Sequence, residues 1–574
     1  MDFSHLFHRP QSEFCFARDQ TNVCIRLRSK RCTLDNVFLR FGDKYERDNN
    51  GGNVFPIVPM LLIHRTTHHD WFSVVINPPY RRLAYDFLLD IGDQRYVFHE
   101  EGSFVFARLQ PNDRDVDAMF QFPYINEADI IRPPNGFPRL FFTRSLLTVS
   151  VDWTDDNVDS VSFYGGDLQG IIQKIPYFKQ LGINAIYLTP IFQSTTNHRY
   201  DTTDYKTIDP ILGNDDDFAE LVEQAHLKKI KIIIDAVFNH CGDTFRPFLD
   251  AVAQGRESKY YNWFHFHDDG TYDRFGFHNY MPKLNTEEPL VRDYLLSIAD
   301  RYTRRFAIDG WRLDVANEVD HCFWRDFRKT VKSIKPDVYI LGELWHNGEP
   351  WLRGDQFDAI MAYQVSRATR DFLLRSTPAM SRAQFEDVIV NYMMSYPKQV
   401  VEAMFNLLGS HDTPRALTEA GANDEVTSDA LKRVQMAYLF IFTCGGAPCV
   451  YYGDEQKMTG GADPGCRKPM RYLPNFGEDE FFKFFQTIIE LKKHNPILST
   501  GEFRFLQHPY PFAIVIERFI DNQSVFILLN RGSYPISVSL NVEAANLRCL
   551  VGTHSVTNSG QVSVAAEDFC VLQL

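Results

Sequence analysis

The chain has 574 residues, too many for one ordinary core, so three or four domains are expected. A formal net charge of −14 argues against nucleic acid or an anionic membrane surface as the main partner and favours neutral ligands. The composition is that of a globular protein, with an excess of aromatic residues (48 Phe, 26 Tyr, 7 Trp) whose flat faces suit sugar rings as well as cores.

The first residues, MDFSHLFHRPQSEF, have no basic start followed by an apolar run, so no signal peptide is expected. Residues 1 to about 120 read as short strands between turns, for example WFSVVINPP, which predicts an N-terminal β-sandwich. From about 165 the period changes. GIIQKIPYFKQLG has helical spacing and a glycine stop, and the apolar strand INAIYLTPIF follows. A helix over 215–229 then precedes KIIIDAVFNH. After an irregular, aromatic-rich stretch (241–285), a helix over 287–306 precedes DGWRLDV, and one over 323–334 precedes VYILGE. FDAIMAY, VEAMFNLLGSHD and APCVYYGDE continue the alternation. Repeated βα units with short buried strands predict a (β/α)8 barrel over residues 121–497, with an insertion after its third strand. Alternating FAIVIERFIDNQSVFILLNRG predicts a C-terminal antiparallel β-sandwich over 498–574. The longest apolar run, Met436 to Tyr452, is broken by Gly-Gly-Ala-Pro and is too short to cross a bilayer as one helix. Ten cysteines without paired spacing predict reduced thiols in a cytoplasmic protein.

In such a barrel the chemistry sits at the C-terminal strand ends. Read in order, those ends offer Asp235, Asn239 and His240, then Arg312 and Asp314, then Glu343, then His411 and Asp412. Each strand is apolar until its last residues and then turns polar. Arg312 and Asp314 stand at alternate positions, so their side chains leave the same face of a strand. They read either as a buried ion pair, rare because desolvation must be offset by good geometry, or as a carboxylate held ionised by a fixed cation. Three acids converging on one mouth repel one another unless the site uses them.

DAVFNH, GWRLDVANE, GELW and LLGSHDTPR, in that order, resemble the four short motifs of the α-amylase family of glycoside hydrolases, family 13. FYGGDLQGI, NHRYDTTDY and YYGDE support the match. MPKLN, VANEVDH and MTGGADPGCRKPM resemble the neopullulanase, cyclomaltodextrinase and maltogenic amylase group, which also carries an extra, starch-binding-like N-terminal β-domain. The resemblance implies that Asp314 is the nucleophile, that Arg312 keeps it ionised, and that Glu343 is a general acid/base with a raised pKa. It makes Asp412 the third acid, gripping sugar hydroxyls. The implied reaction is retaining, with two carboxyls about 5–5.5 Å apart.

By the same resemblance Asn239, His240 and His411 face the sugar at the cleavage point, and Tyr200 with His198 stacks on it. Asp463 and Arg467 bound the non-reducing side; Trp345 and Glu318 lie on the acceptor side. As bare residues, the two histidines could equally be satisfied core groups, the loop residues an ordinary polar loop, and Glu318 a helix-start carboxylate. Cys241 stands where the family motif usually has serine. No cofactor is required. A structural calcium, with Asp155, Asn157 and Asp167 as oxygen donors beside Asp156, is implied by a poorly matching segment.

The implied activity is hydrolysis of α-1,4 and some α-1,6 bonds in maltooligosaccharides and cyclodextrins, with transfer to sugar acceptors, by a homodimer or larger oligomer. The alternatives are an oligo-1,6-glucosidase, a sucrose-acting relative, or a catalytically impaired carbohydrate-binding barrel. One stretch departs from the family. Residues 135–153, NGFPRLFFTRSLLTVSVDW, replace an expected first strand bearing a Tyr-Gln pair; LLTVSV can serve as that strand, but Arg139 and Arg144 suit a buried strand poorly. Codons for this stretch can be chosen so that another frame spells VFYQIFADRFSRL, so a local frameshift is expected. Resequencing the gene should reveal paired insertions and deletions, and unchanged nucleotides would mean true divergence and weak activity.

Overall fold

The computed structural model describes residues 5–43, 46, 54–78, 83–100, 102–105, 119–122, 130–132, 141–144, 159, 162–422, 425–472, 475–540, 542–543, 546–557 and 561–574. Its contacts divide the chain into two compact units, residues 1–132 with 382–401 and residues 133–381 with 402–574.

In the first unit, period-2 alternation builds two antiparallel sheets. Val23–Lys30 lies between Cys15–Ala17 and His69–Ile76, with Leu61–Arg65 at the edge; Asn36–Gly42 and Leu83–Ile91 centre the other sheet. Val23, Ile25 and Leu27 from one sheet and Val37, Leu39 and Phe41 from the other share a single apolar core, as a sandwich requires. Residues 382–401 belong to this unit and not to the βα alternation. Asp387 accepts from the Thr67 amide (2.7 Å), Gln399 donates to the Ala17 carbonyl (3.1 Å), and the Arg26 guanidinium donates to the Tyr396 carbonyl (3.0 Å).

The second unit is the expected barrel. Its strands are β1 (Phe141–Arg144), β2 (Ala185–Leu188), β3 (Lys231–Ala236), β4 (Gly310–Leu313), β5 (Tyr339–Gly342), β6 (Ala359–Ile360), β7 (Phe405–Leu407) and β8 (Ala447–Tyr451). They pair in parallel in the order β6-β5-β4-β3-β2-β1-β8-β7. A parallel bridge from Met361 to Phe405 joins the two ends of that order, closing the sheet. The pairing of β1 corrects the sequence reading: the strand that matches both Ile186 and Val450 is centred on Phe142, ahead of LLTVSV. Four residues suffice for a strand this short, and two β-favouring phenylalanines open it. Residues 145–158, which hold LLTVSV (146–151) and the expected calcium donors Asp155 and Asn157, lie outside the described residues, as does Arg139.

The insertion after β3 is zipped to the chain leaving that strand. The Cys241 amide donates to the Pro282 carbonyl (3.0 Å) and the Leu284 amide to the Asn239 carbonyl (3.0 Å), with His240 and Lys283 as bridge partners. At the chain's end, a five-stranded sheet (Glu502–Phe505, Ala513–Ile520, Gln523–Asn530, Asp568–Gln573, Arg548–Gly552) and a three-stranded one (Ile536–Val538, Val562–Val564, Ser555–Val556) enclose a core of Val515, Phe526, Leu528 and Val564. All ten cysteines are free. Among the described residues, no helix is long and apolar enough to cross a membrane.

Acids also stand at the opposite ends of two strands, and there they act on the backbone. Asp309, before β4, accepts from the Ile232 amide of β3 (2.9 Å), His226 (2.7 Å) and Lys335 (2.8 Å). Asp358, before β6, does the same for Ile340 of β5 (2.9 Å), Arg328 (2.8 Å) and Lys332 (2.9 Å). Burial raises the Asp309 pKa, but these donors outweigh burial and hold it at about 2. A depressed acid stabilises the fold above its unfolded pKa and loses that contribution as pH falls toward the folded value. Asp309→Asn is therefore expected to cost about 2 kcal/mol at pH 7. The deficit should shrink between pH 4 and pH 2 in urea titrations, and a pH-independent deficit would contradict this origin.

Candidate active site

The polar strand ends converge on one buried cation. Arg312, on β4, has no exposed surface. Its Nη1 donates to both oxygens of Asp235 at the end of β3 (3.0 Å each) and to Asp314 Oδ1 (2.8 Å), while Nη2 lies 2.8 Å from Glu343 Oε2, just past β5. One rigid guanidinium fork thus spans three carboxylates from three neighbouring strands, which confines Asp314 and Glu343 to a short separation. Tyr187 (2.6 Å) and Tyr200 (3.0 Å) also donate to Asp235.

Glu343 has two further donors. The Val315 amide donates to its Oε2 (3.1 Å) and the Trp345 indole to its Oε1 (3.1 Å). Val315 adopts φ 43°, a left-handed conformation that a β-branched residue rarely takes. That turn aims its N–H at the acid, a local strain held in place by its surroundings. Trp345 in turn lies flat on Tyr363, ring centroids 3.7 Å apart and planes within 8°.

Arg312 favours the ionised form of Asp314 by charge and by hydrogen bond, as expected, and burial opposes it. Burial, with help from Glu343 and Asp235, pushes the Asp314 carboxyl well above the usual range despite the guanidinium, and burial raises Asp235 as well. One positive charge does not balance the buried acids around it, and Asp235 and Asp314 are the two that burial raises.

Above this floor lies a cleft of ≈ 500 Å³. Asp314, Glu343, Asp412, His198, Tyr200, His240, His411, Glu318, Trp345, Asp463 and Arg467 all line it. Asp412 faces the cluster from the β7 end, where Arg467 reaches it (3.3 Å) while also pairing with Asp463 (2.7 Å) and the His411 carbonyl (3.0 Å). Tyr200 stacks on His411 (5.5 Å, 13°) and meets its Nε2 at 2.6 Å. Burial lowers the histidines, His198 to about 4, His240 to about 3 and His411 well below its ordinary value. At neutral pH each ring is therefore uncharged, with one donor and one acceptor.

Two residues expected at the site are not at the surface of the cleft. Arg312 lies beneath the acids, and Asn239 is buried between Lys283 and His240. Asp167 caps the helix Leu168–Leu181, accepting from the Gly170 amide (2.6 Å). Among the described residues no group of three or more His, Cys, Asp or Glu is placed to hold a metal, and the other expected calcium donors, Asp155 and Asn157, lie outside those residues.

The cleft also contains residues the sequence reading passed over. Phe275, His278 and Tyr280 come from the insertion, where only the density of aromatic residues gave a signal, and Met281 opens the MPKLN segment that follows them. His240 stacks on Phe275 (4.8 Å, 15°), and Phe275 in turn on His278 (6.1 Å, 18°).

Removing the cation should unmask the acids. Arg312→Met is expected to cost about 3–5 kcal/mol at pH 8, where three carboxyls are left without compensation. The cost should fall toward pH 5, because protonation relieves them. Equal losses of melting temperature at both pH values would contradict this electrostatic origin.

Comparison with known proteins adds a second line of observation. The family profile "Alpha amylase, catalytic domain" matches residues 135–472, and "Alpha amylase, N-terminal ig-like domain" matches residues 1–126. The chain is 40% identical to a cyclomaltodextrinase of Geobacillus thermopakistaniensis, over 99% of this chain and 97% of the relative. It is 38% identical to a maltogenic alpha-amylase of Bacillus acidopullulyticus, over 94% of each. A solved cyclomaltodextrinase structure superimposes with a TM-score of 0.90 at 37% identity, covering 100% of both chains.

Proposed function

This chain belongs to the α-amylase family of glycoside hydrolases, and from that premise we propose that it hydrolyses α-1,4 and some α-1,6 glucosidic bonds in maltooligosaccharides and cyclodextrins, transferring part of the product to sugar acceptors. The observation that carries the reading is the single guanidinium spanning Asp314 and Glu343 at the floor of the cleft, with Asp412 lining the same cleft. A cleft of ≈ 500 Å³ suits a small oligosaccharide.

In this reading Asp314 attacks the anomeric carbon while Glu343 protonates the departing oxygen. Asp314, held by the Arg312 guanidinium, is the carboxylate that this step needs, and Glu343, on the same guanidinium, is its acid. Glu343 then takes a proton from water, which releases the sugar from Asp314 with its anomeric configuration retained. Asp412 and the neutral histidines hold the sugar hydroxyls, and Trp345 both orients Glu343 and offers a flat face on the acceptor side. An acceptor hydroxyl replacing water gives transfer. Ten free thiols fit a cytoplasmic enzyme.

The test is a reducing-sugar assay on maltotriose and β-cyclodextrin. Wild type should cleave both, and Asp314→Asn should lose nearly all turnover of either while keeping its fold. Glu343→Gln should also be nearly inactive on these sugars, yet should still release fluoride from an α-glucosyl fluoride, whose leaving group needs no proton. An Asp314→Asn variant retaining more than a few per cent of activity would overturn the assignment.

We further propose a homodimer or larger oligomer in which residues 1–120 of one subunit narrow the cleft of its partner. Light scattering should show it, and deletion of those residues should yield monomers with relatively more activity on long starch. A monomeric full-length chain would refute this.

A further inference from the structure

Lys283 lies at the end of the insertion, outside the set of acids, and its ammonium has three oxygen partners. Nζ donates to Asn239 Oδ1 (2.6 Å), to the Glu318 carbonyl (3.1 Å) and to Glu318 Oε2 (3.3 Å). One cation therefore joins three segments: the exit of β3, the insertion, and the turn after β4. The backbone bridge between His240 and Lys283 fixes where that cation sits.

The consequence reaches His240 through the Asn239 amide. An ammonium only donates, so it admits the oxygen of Asn239 and excludes its NH2 group. The NH2 is thereby turned toward His240 Nδ1, 3.2 Å away. An NH2 group also only donates, so this contact makes Nδ1 the accepting, unprotonated nitrogen, while the Tyr200 backbone carbonyl also approaches the ring and favours a proton on it. With burial holding the ring neutral, its single hydrogen then belongs on Nε2. Nε2 is buried and makes no hydrogen bond among the described residues, in a side chain that lines the cleft.

We infer that Lys283 is a positioning residue: through Asn239 it locks His240 in the Nε2–H tautomer, presenting a donor to a sugar hydroxyl. The inference rests on the proposed hydrolase reading for its kinetics, while the tautomer itself is independent of activity. Lys283 touches no reacting atom. It determines which way an amide and an imidazole face, and so it acts through other residues.

Neutron diffraction from deuterium-exchanged crystals of the full chain tests the tautomer directly. Deuterium on His240 Nε2, with the Asn239 ND2 group facing Nδ1, is expected; deuterium on Nδ1 would overturn the inference. Kinetics on maltotriose test the coupling. Lys283→Met should lower kcat/KM roughly tenfold, the effect of one lost hydrogen bond to the ligand, and Lys283→Arg, which keeps a donor and a charge, should recover most of it. In a His240→Ala background, Lys283→Met should cost little more, since the relay has lost its end. Losses that multiply in the double variant would show that Lys283 acts elsewhere and would overturn the relay. If wild type cleaves neither maltotriose nor β-cyclodextrin, the hydrolase reading fails, and the neutron result alone decides the tautomer.

Discussion

A guanidinium sealed under three carboxylates is the constraint on which the rest of the site depends. Burying Arg312 and its partners costs solvation that only close, well-aligned contacts can offset, and the barrel supplies them by ending three adjacent strands at the same height. Asp235, Arg312 with Asp314, and Glu343 leave β3, β4 and β5 in turn. The parallel register places Asp235 beside Arg312 as cross-strand partners. Every further element of the site serves this cluster or faces it: Tyr187 and Tyr200 satisfy Asp235, the strained Val315 amide and the Trp345 indole hold Glu343, and Arg467 holds Asp412.

The same residue type does opposite work at the two ends of the strands. At the N-terminal ends, Asp309 and Asp358 each receive a neighbouring strand's amide and two basic side chains, which outweigh burial at Asp309 and hold it charged. At the C-terminal ends, three acids share one cation, and burial raises Asp235 and Asp314 instead. A surplus of cations makes an acid a structural clamp; a shortage lets burial raise its pKa. That difference in local charge balance is what separates the stabilising face of this barrel from its reactive one.

Much of this was legible in the sequence because the signals were local. Apolar strands that turn polar at their last residues gave Asp235, Asp314, Glu343 and Asp412, and the two-residue spacing of Arg312 and Asp314 gave their common face. What escaped depends on pairings distant in sequence. Phe275 and Tyr280 reach the cleft only because residues 280–284 zip onto 239–243, and no periodicity marks that. Residues 382–401 have helical character like their neighbours, yet their partners are Thr67, Arg26 and Ala17. Asn239 was read as facing the sugar, whereas the fold buries it between Lys283 and His240.

The central claim is that Asp314 attacks the sugar while Glu343 handles the proton. The most direct measurement is covalent trapping with a 5-fluoro-α-glucosyl fluoride, whose ring fluorine slows release of the enzyme-bound sugar, followed by peptide mass mapping. The account predicts one added sugar, carried by the peptide containing Asp314 and absent from Asp314→Asn. A label on Glu343 or Asp412, or steady turnover of the reagent without any labelled peptide, would contradict it.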